Sequence, residues 1–376
     1  MHQVLVFFSM TVAKLAILLA VGCAHLLTVG CSPVEAQQPA SSQEETELFR
    51  QAVEKFRGAS RITIADEDDS SLKRWDSPVS RLETGVVLEW NAEKLFFVRP
   101  SDTKERSIAS SRILRIEPVW ENSSAEKLHE LYSKQRWAEA IALGPKVLGA
   151  KSESPSTPRW QQKMLLAELV ECRTSTGSWE KGAVLFHSLA MAKDSLPPLL
   201  TVVIPIPWTD STVDISDRKK LHELSEGWIR ESNELVKLMG AAWLLDSDQQ
   251  KEAIATLDLL AKQSSNRIVA KYAESQLWRT TPPMELATRR IQRCYTIRDS
   301  LLLPLQAGPT MLLAERFHQA NQKDLALSEW MRVAMMHPEQ YRLASLAAKK
   351  AADVLREKSL TKEAEALEIP YRKLEP

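Results

Sequence analysis

A short phrase recurs five times after residue 120, and it constrains the fold more than any other feature of the chain. Each copy places a small residue early in a predicted helix, after a polar turn, and large apolar residues follow at helical spacing. Self-similarity at a period of tens of residues is typical of stacked helical hairpins, which usually present binding surfaces. The small residues of the five copies are Ala140, Gly182, Ala253, Ala326 and Ala364.

The intervals between these small residues fit one unit length. Gly182 lies 42 residues after Ala140, and Ala364 lies 38 residues after Ala326. The intervals from Gly182 to Ala253 and from Ala253 to Ala326 are 71 and 73 residues, near twice a unit of about 36. Each long interval therefore has room for one diverged hairpin. The alternative is a general all-α domain in which a similar turn recurs by chance.

The copy around Ala326 is the best preserved. Ala314 and Ala326 are the small residues that let paired helices approach closely, and Phe317 and Trp330 supply the large side chains of the layer between them. Pro338 follows where the second helix would end. This pattern resembles a tetratricopeptide repeat.

The resemblance covers roughly residues 124–374 and implies a mainly α fold, a helical-hairpin array or α-solenoid over residues 123–376. Tetratricopeptide proteins are mostly scaffolds whose first helices line a concave groove, so the resemblance also implies a protein or peptide partner. A proline-rich insertion, residues 196–215, interrupts the pattern. Its four prolines exclude a regular helix, yet it is very apolar, so we predict that it packs against the array as a plug or groove wall.

Residues 81–118 change to the alternating period of β-strands, which predicts a small β module before the helices. Gly85 opens the first strand, where a missing side chain permits a sharp bend. The pattern resembles a small Sm-like or SH3-like barrel over this segment alone. Some Sm-like barrels bind RNA, but the segment lacks a basic aromatic patch, so we expect no nucleic-acid binding. We interpret the module as a β-barrel-like meander that caps the first helical repeat.

The N-terminus resembles an export signal. An apolar stretch within residues 1–36 ends in a small-residue cleavage pattern, which predicts a signal peptide cut between Ala36 and Gln37. The competing interpretation is a lipid anchor on Cys31, which would attach the chain to a membrane. Met10 would begin a more typical signal than Met1. Both interpretations predict export to the periplasm or cell envelope.

Residues 37–80 have the composition of a linker, with a short helix and an acidic loop. Lys+Arg and Asp+Glu both number 49, so the zero formal net charge also argues against a dedicated nucleic-acid binder. Cys172 and Cys294 lie inside predicted helices, and we expect both to be buried apolar residues rather than a disulfide.

No residue pattern predicts a catalytic, cofactor or metal site, and we predict that the chain is not an enzyme. His129-Glu130 and His222-Glu223 begin like a zinc protease motif, but neither has a second His four residues after the first. The sequence also lacks a phosphate-binding glycine loop and a Gly-x-Ser-x-Gly nucleophile motif.

The leading hypothesis is therefore an exported scaffold or adaptor that binds a protein or peptide partner at the cell envelope. The alternative is an accessory or substrate-handling subunit of an envelope enzyme complex, with the proline-rich insertion forming a ligand groove. An enzyme with a dispersed site has no support in the sequence.

Overall fold

The computed structural model describes residues 58–65, 80–100, 104–120, 122–149, 157–192, 195–209 and 213–372. The predicted signal peptide with Cys31, Ala36 and Gln37 lies outside the described residues, and so does the acidic cluster at residues 66–69. Within the described residues, the chain is mostly helical and a small antiparallel sheet precedes the helices. The coarse fold class predicted from the sequence is thus confirmed.

The sheet has five antiparallel strands in the order β4-β3-β2-β1-β5. Alternate residues of β1 and β3 point into one core, because successive side chains of a strand face opposite sides. A one-turn 3₁₀ helix, Ser110–Arg112, joins β4 to β5. The strands are β1 (Ser60–Ala65), β2 (Ser80–Trp90), β3 (Lys94–Val98), β4 (Glu105–Ala109) and β5 (Ile113–Glu117).

Gly85 lies where β2 changes partner, from β1 on its N-terminal side to β3 on its C-terminal side. A Cβ at Gly85 would come within 2.5 Å of the Phe97 ring and 2.7 Å of the Val98 carbonyl oxygen. Only a residue without a side chain allows β3 to approach β2 this closely. Gly85 thus lies in the middle of β2 and does not open the first strand, contrary to the prediction from the sequence; its missing side chain permits the close approach of β3.

Strand β1 is a correction to the sequence analysis. It lies inside the range 37–80 that was assigned to a linker and loop, so the β module begins well before residue 81. Ile62 and Ile64 are completely buried in the sheet core. A six-residue strand beside an acidic stretch offered too short an alternation to stand out.

The helices follow the sheet, and each packs against its neighbours in the chain, except for the three-residue helix Pro283–Glu285. Packing also joins α1 to α3, α4 to α6, α6 to α8 and α11 to α13. The helices are α1 (Ser123–Ser133), α2 (Trp137–Gly149), α3 (Arg159–Ser175), α4 (Trp179–Ala190), α5 (Ile215–Trp228), α6 (Glu234–Leu244), α7 (Gln250–Gln263), α8 (Arg267–Leu277), α9 (Pro283–Glu285), α10 (Ile291–Asp299), α11 (Ala307–Gln319), α12 (Lys323–Met336), α13 (Tyr341–Glu357) and α14 (Thr361–Arg372). A π-helical segment, Leu286–Arg290, joins α9 to α10.

Four helix pairs are joined by the same three-residue turn. In each turn the middle residue has a left-handed backbone, and the next amide donates to the carbonyl oxygen five residues earlier at 2.8–2.9 Å. This bond satisfies a carbonyl that the first helix leaves open at its end. The left-handed residues are Gln135 (φ 59°), Gly177 (φ 77°), Asn321 (φ 57°) and Ser359 (φ 63°).

The small residue of each repeated phrase lies five positions after its left-handed residue. Ala140, Gly182, Ala326 and Ala364 are buried, and their amides close the first hydrogen bond of the second helix. Ala253 is equally buried, but the turn before it, between α6 and α7, contains no left-handed residue. Four of the five predicted copies thus share one turn geometry.

Among the described residues, no helix is long and apolar enough to cross a membrane.

Candidate functional site: the proline-rich segment and the polar clusters beside it

The proline-rich segment, described over residues 195–209, lies among the helices. It forms a 3₁₀ helix at Pro198–Val203 and continues to Thr209 without regular structure. It contacts β5, α3 and the 3₁₀ turn Leu303–Leu305. These contacts agree with the expectation that the segment packs against the helical array.

Side chains from α6 and α8 bind the backbone of this segment. Trp243 Nε1 donates to the Pro205 carbonyl at 2.8 Å, and Gln276 Nε2 donates to the Pro207 carbonyl at 3.3 Å. Proline has no N–H, so carbonyl acceptors are the groups that need partners in a buried proline-rich stretch. The segment is therefore held by directional bonds as well as by apolar packing.

Trp208 anchors the end of the segment. Its ring meets Tyr272 edge-on with centroids 5.1 Å apart. A Cβ on Gly308 would come within 2.3 Å of the Trp208 ring, so α11 needs glycine at this contact. Replacing a buried tryptophan by alanine lowers the unfolding free energy by about 3–5 kcal/mol. Other apolar side chains of the segment are buried as well. These are Leu196, Leu200, Ile204 and Ile206.

Residues 202–205, in the middle of the segment, border a polar cluster formed by α1, α3 and α13. Tyr132 Oη donates to Glu171 Oε2 at 2.7 Å. The guanidinium carbon of Arg342 lies 4.5 Å from the centre of the Trp179 ring. A cavity of about 40 Å³ lies between Glu171, Arg342 and Pro205 and has room for a water molecule or two.

Burial controls the protonation of this cluster. It raises the pKa of Glu171 to about 7, although the hydrogen bond from Tyr132 and the charge of Arg342 act in the opposite direction. Burial also lowers the pKa of Arg342 to about 10, against the charge of Glu171. A carboxyl group with this pKa gains or loses its proton near neutral pH. Such a pKa suits a group that transfers protons, but it is also found in buried pairs whose role is structural.

A second pair lies one helical turn away on the same two helices. His129 Nδ1 lies 2.6 Å from Glu168 Oε1. Burial opposes protonation of His129, but the hydrogen bond and charge of Glu168 outweigh it and raise the histidine's pKa. Cys172 is fully buried nearby, and burial raises its pKa, so the thiol stays protonated and is a poor nucleophile. The pair and its neighbours join α1 to α3.

Thr209, the last described residue of the segment, lines a larger cavity of about 280 Å³. Three arginines from three elements line it: Arg218 on α5, Arg279 after α8 and Arg316 on α11. Asp246 and Glu315 contribute carboxylates to the same walls. The described walls of the cavity are therefore polar and carry side chains of both signs.

The residues predicted for repeat packing are all buried in helices. Ala314 and Phe317 lie on α11, and Trp330 lies on α12 beside Ala326. They place helices against each other and do not converge on a ligand site. The predicted set is Ala140, Gly182, Ala253, Ala314, Phe317, Ala326, Trp330 and Ala364.

The polar cluster was not predicted from the sequence. His129 stands there only in an incomplete zinc motif, and neither Glu171 nor Arg342 belongs to a motif. The detectable signal is a pair of polar residues three apart on each of two helices, since such residues share one helix face. Arg342 lies on α13, far along the chain, and no spacing relates it to α1 or α3.

Cys172 and Cys294 are free and buried, as expected, and burial raises the pKa of Cys294 to about 12. In the part of the chain that the structure describes, no three His, Cys, Asp or Glu side chains are grouped to bind a metal ion. Comparison with known proteins finds no matching family model, no similar curated protein and no similar solved structure.

Proposed function

We propose that this protein is an exported scaffold whose tetratricopeptide-like helical array binds a protein or peptide partner at the cell envelope. The observation that carries the proposal is the shared turn of four helix pairs, each followed by a buried small residue at the same distance. A repeated turn repeats the crossing of two helices, and repeated crossings generate an extended surface, which suits binding better than a single reaction centre.

In this proposal the helices form a solenoid and the sheet is a barrel-like cap of the SH3 or Sm type. Gln161 on α3 is 2% exposed and donates to the Val119 carbonyl at 2.8 Å, directly after the sheet. Core residues of the sheet and of the helices belong to one continuous apolar cluster. Both observations support a cap rather than a separate binding module.

The partner would bind outside the surface that the proline-rich segment covers. A partner that displaced the segment would expose Trp208 and its buried neighbours to water. This exposure costs too much free energy for reversible binding. The exposed apolar side chains that we propose as contacts lie on the second helices of several pairs, and not on the first helices that the tetratricopeptide resemblance implies. These are Val184 on α4, Leu259 on α7, Met335 on α12 and Ile369 on α14.

Site-specific photocrosslinking in the native envelope tests this arrangement. Crosslinkers at Leu259 and Met335 should capture the same partner, while a crosslinker at Arg106 on the sheet should not. Crosslinks confined to the sheet would overturn the array as the binding element. If the folded, full-length chain gives no crosslinked partner at either helix position, the scaffold role itself is overturned.

A second candidate function is an accessory or substrate-handling subunit of an envelope enzyme complex. The arginine-lined cavity at the end of the proline-rich segment favours it, since scaffolding alone does not require such a cavity. Co-purification of an enzyme whose turnover depends on this chain would support this candidate over a pure scaffold.

A further inference from the structure

We propose that Arg342 and the small cavity beside it bind one monovalent anion of halide size. The cavity of about 40 Å³ lies between α3, the proline-rich segment and the start of α13. A halide ion is only slightly larger than a water molecule, so one ion fits this space. The proposal goes beyond the scaffold role and does not depend on it.

Arg342 supplies the positive charge of this cavity. Its guanidinium carbon lies 4.5 Å from the centre of the Trp179 ring, and Glu171 acts on it through charge and not through a hydrogen bond. The ring attracts a cation but offers no oxygen acceptor for its N–H groups. Within the described residues, the guanidinium is thus held in place while its donors stay open to a ligand.

The other polar donors in the wall are already used. The Thr174 hydroxyl donates to the Glu171 carbonyl at 3.0 Å, and Gln340 Nε2 donates to the Pro304 carbonyl. Apolar side chains and a proline form the rest of the lining, namely Val202, Val203, Ile204, Pro205, Trp208 and Leu343. Charges attract each other more strongly in such surroundings than in water, which favours an anion beside Arg342.

The pKa of Arg342 supports an anion site. Burial lowers this pKa to about 10, against the charge of Glu171. The shift means that the enclosed positive charge costs free energy, because the group has lost part of its hydration. A bound anion offsets this cost and leaves the guanidinium ionised.

Glu171 competes with the anion, because an ionised carboxylate in the same wall repels a second negative charge. Burial raises the pKa of Glu171 to about 7, although the hydrogen bond from Tyr132 and the charge of Arg342 oppose this. The charges of Glu168 and Glu339 raise it further, and the described proline-rich segment has no titratable side chain. Anion binding is therefore coupled to protonation of Glu171, and the affinity at pH 6 should exceed that at pH 8 by about 10-fold.

Bromide is the probe, because its anomalous X-ray scattering distinguishes it from water. The chain without its predicted signal peptide is crystallised at pH 6 in sodium bromide of about 0.15 M, a physiological ionic strength. We expect one anomalous peak within hydrogen-bond distance of the Arg342 guanidinium. In solution, exchanging gluconate for bromide at equal ionic strength measures binding through the thermal midpoint, since a ligand of the folded state stabilises it. Gluconate is too large for the cavity.

Three variants separate the site from general effects of salt. Arg342→Gln should lose the anomalous peak and the stabilisation by bromide. Arg293→Gln should keep both, because Arg293 is exposed and pairs with Glu274. Glu171→Gln keeps the shape of the side chain but cannot ionise, so its affinity for bromide should be the same at pH 6 and pH 8. Circular dichroism checks that each variant is folded.

A wild-type crystal with water and no anomalous peak beside Arg342 would overturn the proposal without any variant. Equal stabilisation by bromide in wild type and in a folded Arg342→Gln protein would also overturn it. If Arg342→Gln does not fold, the comparison of wild type with Glu171→Gln decides. A pH dependence of bromide binding that is the same in these two proteins would contradict the coupling to Glu171.

Discussion

The outer hairpins and the centre of the helical region are built differently. The pairs α1–α2, α3–α4, α11–α12 and α13–α14 use one turn with a left-handed residue. Between them, the α6–α7 turn has no such residue, and a π-helical segment interrupts the helix before α10. The proline-rich segment packs on α3 of an outer hairpin, but the side chains that bind its carbonyls come from this central region, and the arginine-lined cavity lies there.

The difference shows where repetition ends and special structure begins. A repeated turn reproduces one helix crossing, and each crossing needs only a small residue and a few large ones. The centre must also satisfy the carbonyls of an enclosed segment and keep three arginines in one wall. Departures from the repeat therefore coincide with the features that a plain array would not need.

The largest expected effect is at the centre. Trp208→Ala should lower the unfolding free energy by about 3–5 kcal/mol, because it removes a buried ring that packs on Tyr272 and Gly308. Trp137→Ala, at a half-buried position in the first hairpin, should cost less. Chemical denaturation of both variants checks the order. If both variants lost the same unfolding free energy, packing of the proline-rich segment would not be a special source of stability for the central helices.

The helix crossings give the next effect. Ala326→Leu should destabilise the protein by about 1–3 kcal/mol, because the added side chain overpacks a completely buried position. Ala253→Leu should cost a similar amount, although its turn differs. Ala138→Leu on the exposed side of α2 is the control. If Ala253→Leu matched the control instead, Ala253 would have no part in a repeated crossing.

The succession of helices was predictable because each carries a local pattern. Ala326 and Trp330 lie close together in the sequence, and their spacing alone indicates a helix that packs on another. Strand β1 escaped prediction because its alternation is short. The composition of residues 195–209 predicts that the segment packs against the helices. It does not predict that Trp243 and Gln276 bind its carbonyls, because these residues meet the segment only in the folded chain.

The candidate sites were less predictable than the fold. Glu171 and Arg342 lie on α3 and α13, and Arg218 and Arg316 lie on α5 and α11. A single sequence carries no signal that relates residues so far apart, since only the folded chain places them together. Charge balance hides them further, because each cluster contains both signs and the net charge of the chain is zero.

The polar cluster between α1, α3 and α13 should make stability depend on pH. The pKa of Glu171 in the folded protein is about 7, above its ordinary value of 4.5, so folding disfavours the ionised form. The contribution of Glu171 to stability should therefore fall as the pH rises through this interval. Since one pKa unit corresponds to about 1.4 kcal/mol, the loss between pH 5 and pH 8 should be about 1–3 kcal/mol.

Glu171→Gln removes this titration, so the variant should gain stability relative to wild type as the pH rises from 5 to 8. Denaturation at both values measures the difference. Glu139→Gln, at an exposed position in the first hairpin, is the control and should show no such trend. A stability difference between Glu171→Gln and wild type that stays the same at both pH values would contradict the prediction.

The smallest expected effect tests the turns themselves. Gln135 holds a left-handed backbone that costs a residue with a side chain about 1 kcal/mol, so Gln135→Gly should raise the unfolding free energy by about that amount. Gln249, before α7, has φ −91°, and Gln249→Gly should therefore give no gain. Gly177→Ala should lose what Gln135→Gly gains, since Gly177 has φ 77° in the equivalent turn. Calorimetry of the three variants measures the differences. A gain at Gln249 equal to the gain at Gln135 would show that the α6–α7 turn belongs with the outer four, and the contrast between the two regions would then rest on the proline-rich segment alone.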